Sequence, residues 1–281
     1  MKKVGFIDFY LSEWHANNYP VWFSEICERT GSDYKVCYAW AEQDVSPVDG
    51  VTTEQWCEKF GAEKCDTLEE LCERSDVIVV LAPTDPEKHL QYARVVLPYG
   101  KRTYIDKTFA PSVSEAEEIF AIAKAHGTPF FSTSALRYAT ELDLFDGCMQ
   151  IDVTGSGRTA DEYIIHQVEM VVKKLGIGAC AVCAEKLGYR TLFKIRYGDG
   201  RFATMTYAPR TLPFTVFMSG GEQRPVWAAV DSDFFKSLMA DIIRFFDEGT
   251  VSFDVAETME AMRVREAALK AMDTLGTWVS I

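Results

Sequence analysis

The sequence predicts an α/β protein in two parts, a Rossmann-like parallel-sheet domain over residues 1–132 and an α+β domain with a mostly antiparallel open sheet over 133–281. Three observations predict it. Short β-like runs alternate with amphipathic helical stretches up to about residue 130, the rhythm of strands joined by crossover helices. Five further β-like runs then follow with little helical signal between them, and two helical stretches close the chain.

In order, the first strands are expected at Lys3–Asp8, Tyr34–Trp40, Val77–Leu81, Thr103–Ile105 and Pro129–Ser132. Val77-Ile78-Val79-Val80-Leu81 has no alternation, so it reads as a strand buried on both faces. Before it, Asp66-Thr67-Leu68-Glu69 places a capping Asp three residues ahead of a Glu and opens a helix. Ser112-Val113-Ser114-Glu115 repeats the device ahead of Ala116–Ala125, which stops at Gly127 with Pro129 just beyond. The second part begins with a strand at Met149–Thr154 and a helix at Ala160–Leu175. Runs at Ala179–Glu185, Arg190–Tyr197, Phe202–Tyr207, Phe214–Met218 and Pro225–Val230 form the antiparallel meander, with Gly198-Asp199-Gly200 as a hairpin turn. Asp233–Glu248 and Val255–Leu275 are the closing helices.

Composition narrows the function. Lys and Arg total 29 against 42 Asp and Glu, a net charge of −13, so nucleic acid and anionic membranes are poor partners. The longest apolar run, Val77–Pro83, is far short of the roughly 20 residues a span needs, and the four apolar residues before Asp8 do not make a secretory signal. Eight scattered cysteines without such a signal read as reduced thiols in a cytoplasm. Cys180 and Cys183, the one close pair, lack the second pair or histidine of a metal site, and no metal is expected.

Ligands of an open parallel sheet sit beyond the carboxyl ends of its strands. A dinucleotide fingerprint there is G-x-G-x-x-G, because glycines let the backbone approach a pyrophosphate at a helix N-terminus. This chain has Asp8-Phe9-Tyr10-Leu11-Ser12-Glu13. Every glycine is missing, and two carboxylates stand where a phosphate needs positive potential.

The other loops nevertheless resemble the Gfo/Idh/MocA (glucose-fructose oxidoreductase / inositol dehydrogenase-like) family. Ala82-Pro83-Thr84 followed by His89 is similar to the family's "T-P-N-x-x-H" loop, and Gly100 to Ala110, with Asp106-Lys107-Thr108 for "E-K-P", to its second signature. Ser134-Ala135-Leu136-Arg137-Tyr138 resembles "N-x-R-F", and Glu162 to Glu169 resembles "D-x-G-x-H-x-x-D". The resemblance implies an oxidoreductase that takes NAD or NADP and transfers a hydride on a sugar, polyol or related hydroxy compound. It assigns Lys107 and His166 as catalytic, with Glu162 in place of the family's Asp. Phe9, Tyr10, Leu11, Glu42, Ala82, Pro83, Thr84, His89, Asp106 and Lys107 are the expected cofactor contacts; Trp40 and Glu42 read either as stacking on adenine and accepting the ribose hydroxyl or as an exposed loop. Arg137 and Tyr138 read either as substrate contacts or as a packing pair.

On the helix Ala160–Leu175 the core stripe is Ile164, Val168, Val171 and Leu175, while Glu162, His166, Glu169 and Lys173 form a ridge about 200° away. The same ridge reads alternatively as a solvated face. Two other functions stay open: the same fold without dinucleotide binding, working as a small-molecule binding or regulatory protein, and a cofactor-independent lyase or isomerase using Lys107 and His166. Apolar side chains on both faces of the later strands predict a homodimer or homotetramer.

Overall fold

The computed structural model describes residues 1–281. The chain forms two compact units, residues 1–133 with 238–253, and residues 134–237 with 254–281. In the first unit β1 (Lys2–Asp8), α1 (Trp14–Thr30), β2 (Tyr34–Ala41), α2 (Thr53–Phe60), β3 (Glu63–Lys64), α3 (Leu68–Arg74), β4 (Val77–Val80), α4 (Glu87–Val96), β5 (Thr103–Ile105), α5 (Val113–His126) and β6 (Phe130–Phe131) follow one another. The sheet is parallel throughout, in the order β3-β2-β1-β4-β5-β6. This is the Rossmann-like arrangement, with β1 and β4 at its centre. All four residues of β4 are buried, which is why that run shows no polar alternation.

Helix starts follow local side-chain chemistry. Ser112 caps α5 as expected, accepting from Glu115 N at 3.2 Å. The cap of α3 is Thr67 rather than Asp66, because the Thr67 hydroxyl reaches Glu70 N at 3.1 Å while the Glu70 carboxylate turns back to Asp66 N at 2.9 Å. The cap is thus set one residue later than the Asp66–Glu69 spacing suggests, and the returning carboxylate reaches the residue before the cap, so the reciprocal box does not form.

In the second unit β7 (Gln150–Gly157), α6 (Ala160–Leu175), β8 (Ala179–Leu187), β9 (Arg190–Tyr197), β10 (Phe202–Pro209), β11 (Thr215–Ser219) and β12 (Val226–Ala229) precede α7 (Phe234–Glu248), α8 (Ala256–Asp273) and β13 (Trp278–Ser280). The sheet order is β12-β11-β7-β10-β9-β8-β13. Only β7 and β10 run parallel; every other pair is antiparallel. Ile164, Val168, Val171 and Leu175 of α6 are all buried in this unit's core with Val264, Ala268 and Ala271 of α8. Buried carboxylates satisfy backbone where regular structure ends. Glu260 accepts from Gly178 N and Ala179 N at 2.8 and 2.7 Å, and Glu141 from Asp231 N and Ser232 N at 3.1 and 2.8 Å.

A boundary at 132/133 assigns all of α7 to the second part, yet residues 238–253 pack in the first. The reason is aromatic. Phe245 lies 4.9 Å from Phe131 between ring centroids, and Phe246 stacks on Phe23 at 6.4 Å. Asp247 then accepts from Lys2 Nζ, Ser32 Oγ and Tyr34 OH at 2.8, 2.7 and 3.0 Å.

Gly5 shows how tightly α3 sits on β1: a Cβ there would lie 2.3 Å from Ser75 Oγ and 2.6 Å from Leu71 Cδ2. Gly5→Ala is expected to lower the unfolding free energy by about 1–3 kcal/mol, the usual cost of overpacking, measured by urea denaturation. An unchanged midpoint would show that α3 moves freely off the strand.

Candidate functional site

At the carboxyl end of β1 the chain turns into α1 without a glycine. Ser12 takes the left-handed backbone conformation, φ 64°, which a non-glycine residue adopts only when held. Its hydroxyl donates to Asp49 Oδ2 at 2.7 Å. Asp8, 1% exposed, uses Oδ1 to accept from Phe9 N at 2.7 Å and from Ala82 N at 3.0 Å. One carboxylate oxygen therefore ties the end of β1 to the loop after β4. Its other oxygen, Oδ2, has no hydrogen-bond partner.

Glu13, not Asp8, caps α1. Its Oε2 accepts from His15 N at 2.8 Å and its Oε1 from Ala16 N. The His15 ring lies with Nδ1 3.1 Å from Glu13 Oε2 and Nε2 3.9 Å from Asp106 Oδ2. Asp106 Oδ1 in turn accepts from Tyr104 OH at 2.9 Å. Asp8, Glu13 and Asp106 thus gather around the start of α1, and burial, reinforced by the charge of Glu13, holds the Asp8 carboxyl well above its ordinary value of 3.8.

The remaining residues of this unit fall in two groups. Glu42, following β2, accepts from Lys88 Nζ at 2.5 Å and from Tyr92 OH at 2.9 Å, and the Lys88 ammonium lies 5.0 Å from the centre of the Phe9 ring. Trp40 meets Tyr92 edge-on at 5.7 Å. Tyr10 packs edge-on against Phe9, and Leu11 is buried. In the second group Lys107, nearly buried, donates to Pro83 O at 3.2 Å, which brings the Ala82-Pro83-Thr84 loop and the Asp106-Lys107-Thr108 segment together. The Lys107–Thr108 peptide is cis. Thr84 is exposed and donates to Asp85 Oδ2 at 2.8 Å. His89 is wholly buried, its Nδ1 3.0 Å from Phe109 O and its Nε2 2.5 Å from Leu81 O. Burial pushes its pKa down from 6.5 while the two carbonyls oppose the shift, and its place is between two backbone segments.

In the second unit the helical ridge does not act as one group. Glu162 pairs with Arg158 at 2.9 Å, and the His166 Nδ1 lies 2.7 Å from Ser134 Oγ. Glu169 is buried and accepts from Arg137 Nε at 2.7 Å, while Arg137 Nη1 reaches Glu257 Oε2 at 2.5 Å. Two carboxylates thus hold the Arg137 guanidinium. Tyr138 is half-buried one residue on. Sequence reasoning passed over His15, Lys88 and Tyr92, and gave Ser134 a place in a motif but no role. His15 carried a signal, standing two residues after an acidic residue at a strand-to-helix turn; the roles of the other three are legible only once the chain is folded.

The fold defines a class of its own architecture, a Rossmann-like parallel-sheet unit with a second unit built on a mostly antiparallel sheet. Residues 44–134 match the model of the oxidoreductase family with an NAD-binding Rossmann fold. The matched residues hold the two strand-end loops whose motifs resemble the Gfo/Idh/MocA family. The match takes in Ala82–Thr84, His89 and Asp106–Thr108 but begins beyond the first loop. A stretch of 66 residues is 36% identical to the uncharacterized oxidoreductase YhhX of Escherichia coli K12, covering 22% of this chain and 19% of that protein. The chain thus aligns with only about a fifth of that relative's length.

Two solved structures share the fold over nearly the whole of both chains. A probable dehydrogenase from Thermotoga maritima superposes with a TM-score of 0.81 at 11% identity, covering 99% of this chain and 98% of the other. An apo scyllo-inositol dehydrogenase from Lactobacillus casei gives 0.76 at 13%, covering 100% and 98%. At such identities the likeness is one of fold.

A dinucleotide can be tested against these residues. Glu42 and the Pro83–Lys107 group stand at the strand ends where its two nucleoside halves belong. The diphosphate needs the N–H groups of α1, and Glu13 holds two of them. The residues fit the group once the Glu13 side chain rotates away.

Asp8 yields a prediction of its own. Its folded pKa is raised, so the native state keeps a proton that the unfolded chain releases, and stability is lost as pH rises from 3.8 through the folded value. Asp8→Asn retains an acceptor for Phe9 N and Ala82 N and does not titrate. The melting temperature of the variant is therefore expected to gain on the wild type as pH rises from 3.5 or so to about 8. A difference that does not change with pH would mean that Asp8 ionises as readily folded as unfolded.

Proposed function

We propose that the protein is an NAD(P)-dependent oxidoreductase acting on a sugar, polyol or related hydroxy compound. The observation that carries the reading is Lys107 at the carboxyl end of β5, nearly buried and hydrogen-bonded to Pro83 O, with both segments inside the matched residues 44–134. Bound NAD or NADP supplies the acceptor for a hydride. The chain's own task is the proton: removing hydride from a secondary alcohol requires a base for its hydroxyl hydrogen, and Lys107 is assigned that role. In the second unit His166, held by Ser134 Oγ at 2.7 Å, is assigned the second proton-handling role, with Glu162 beside it on α6. Phe9, Tyr10, Leu11, Glu42 and Thr84 remain the proposed cofactor contacts.

A second reading is favoured by one specific observation, the Glu13 carboxylate on the N–H groups of α1. It is a binding or regulatory protein that keeps the fold and takes no dinucleotide.

The assembly proposed is a homodimer or homotetramer. Support comes from Trp227, 67% exposed and paired with Phe217 across β11 and β12, and from Trp278, 37% exposed on the edge strand β13. A cytoplasmic place is in keeping with eight free thiols, and no helix is long and apolar enough to cross a membrane.

Lys107→Ala is expected to lower turnover by roughly 10²-fold on a substrate found by screening polyols and sugars with NAD and NADP, with the circular dichroism spectrum unchanged. Unchanged turnover would remove Lys107 from the mechanism. Light scattering at micromolar concentration is expected to give a multiple of 31.7 kDa; the monomer mass would sink the proposed assembly.

A further inference from the structure

We propose that Glu13 is a displaceable internal substitute for a nucleotide's diphosphate: its carboxylate holds the first N–H groups of α1, and a diphosphate seats there only when that side chain swings out. The inference rests on the nucleotide-binding reading above and adds to it the residue that sets affinity. It comes from three features of the first loop.

Geometry is the first. A helix leaves its first four N–H groups without internal partners, and these together with the helix dipole attract anions. Here Glu13 fills the role from within, using both oxygens, Oε2 for His15 N at 2.8 Å and Oε1 for Ala16 N, while its own carbonyl takes Asn17 N at 2.9 Å. A diphosphate oxygen at the same place makes the same bonds. The two anions therefore compete for one set of donors.

Charge is the second feature. Asp8 lies inside the same turn, 1% exposed, with Oδ2 lacking a partner, and Asp106 faces His15 from the end of β5. Any anion arriving while Glu13 is in place meets that carboxylate as well as donors already taken. The third feature is the occupied left-handed turn. Ser12 takes φ 64° and is fastened through Asp49 Oδ2, with Asn17 Nδ2 at 3.4 Å from its hydroxyl, so the backbone keeps a turn at the start of α1 without glycine. What blocks the donors is a side chain, not the path of the loop.

Glu13→Gly removes the side chain, and Glu13→Gln keeps its length and one of its two acceptor oxygens while removing the charge. Glycine at a cap position costs only a few tenths of a kcal/mol relative to a capping side chain, and the glutamine variant guards against a loss of α1. Affinities for NADH, NADPH and inorganic pyrophosphate are measured by tryptophan fluorescence and by shift of the melting temperature. The expected result is dinucleotide binding at tens of micromolar or weaker in the wild type, tightened about tenfold or more in Glu13→Gly, with Glu13→Gln between, and a pyrophosphate-induced rise in melting temperature in Glu13→Gly that the wild type lacks. Pyrophosphate binding gained without any dinucleotide binding supports the role of Glu13 and overturns the oxidoreductase reading. Equal affinities in all three proteins, at whatever strength, overturn the role of Glu13 and leave that reading standing if NADH or NADPH binds. Absence of every ligand from all three proteins overturns both.

Discussion

The turn from β1 into α1 depends on two carboxylates doing what backbone and glycine do elsewhere. Strand ends and helix starts leave N–H groups that must be satisfied once water is excluded. Asp8 satisfies two of them, on Phe9 and Ala82, and so sets the distance between the two central strands of the parallel sheet where they end. Glu13 satisfies two more at the start of α1. Everything at this end of the unit takes its place from that pair: the loop after β4 is fixed by Asp8, Lys107 is fixed to that loop through Pro83 O, and His15 is set between Glu13 and Asp106. The arrangement costs something, since Asp8 is buried with one oxygen unpartnered, and its neutral form is the one the fold favours.

The same use of acidic groups recurs through the second unit. Glu260 and Glu141 each take two backbone N–H groups at places where the chain leaves regular structure, and Glu169 with Glu257 fixes the buried Arg137. Of the chain's 42 acidic residues, Asp8, Asp106, Glu141, Glu169, Asp241 and Glu260 are buried. Its net charge of −13 is therefore a poor guide to how negative its ligand sites are, and each carboxylate has to be followed to its partner before the site's electrostatics are known.

Much of the fold was legible because the deciding signals are local. Ser112 and Gly127 bracket α5, and Ala160–Leu175 carries a core stripe at helical spacing whose four residues all prove buried. The unbroken Val77–Val80 marked the buried centre of the parallel sheet. What was not legible depends on distant partners. Trp278–Ser280 is too short to declare itself a strand and becomes one only by pairing with Ala181–Cys183. Phe245 and Phe246 read as the apolar face of a helix, but nothing near them says that they pack against Phe131 and Phe23. At the site, the first loop announced its two carboxylates and its missing glycines, yet which of them caps α1 turns on the path of the loop through Ser12. His89 and Arg137 show the same limit: residue type and spacing do not name the partners that hold them, two backbone carbonyls for His89 and two carboxylates for Arg137.

The return of residues 238–253 to the first unit bears on how the chain is made. A ribosome delivers residues in order, and an N-terminal domain that is one continuous segment can fold while the rest is still being synthesised. Here the segment that covers Phe131 and Phe23 emerges more than a hundred residues after residue 133, with nearly the whole of the second sheet in between. The first unit cannot complete its core on the ribosome until that later stretch has appeared, so Phe23 and Phe131 lack this cover until the chain is nearly whole and the two units mature together.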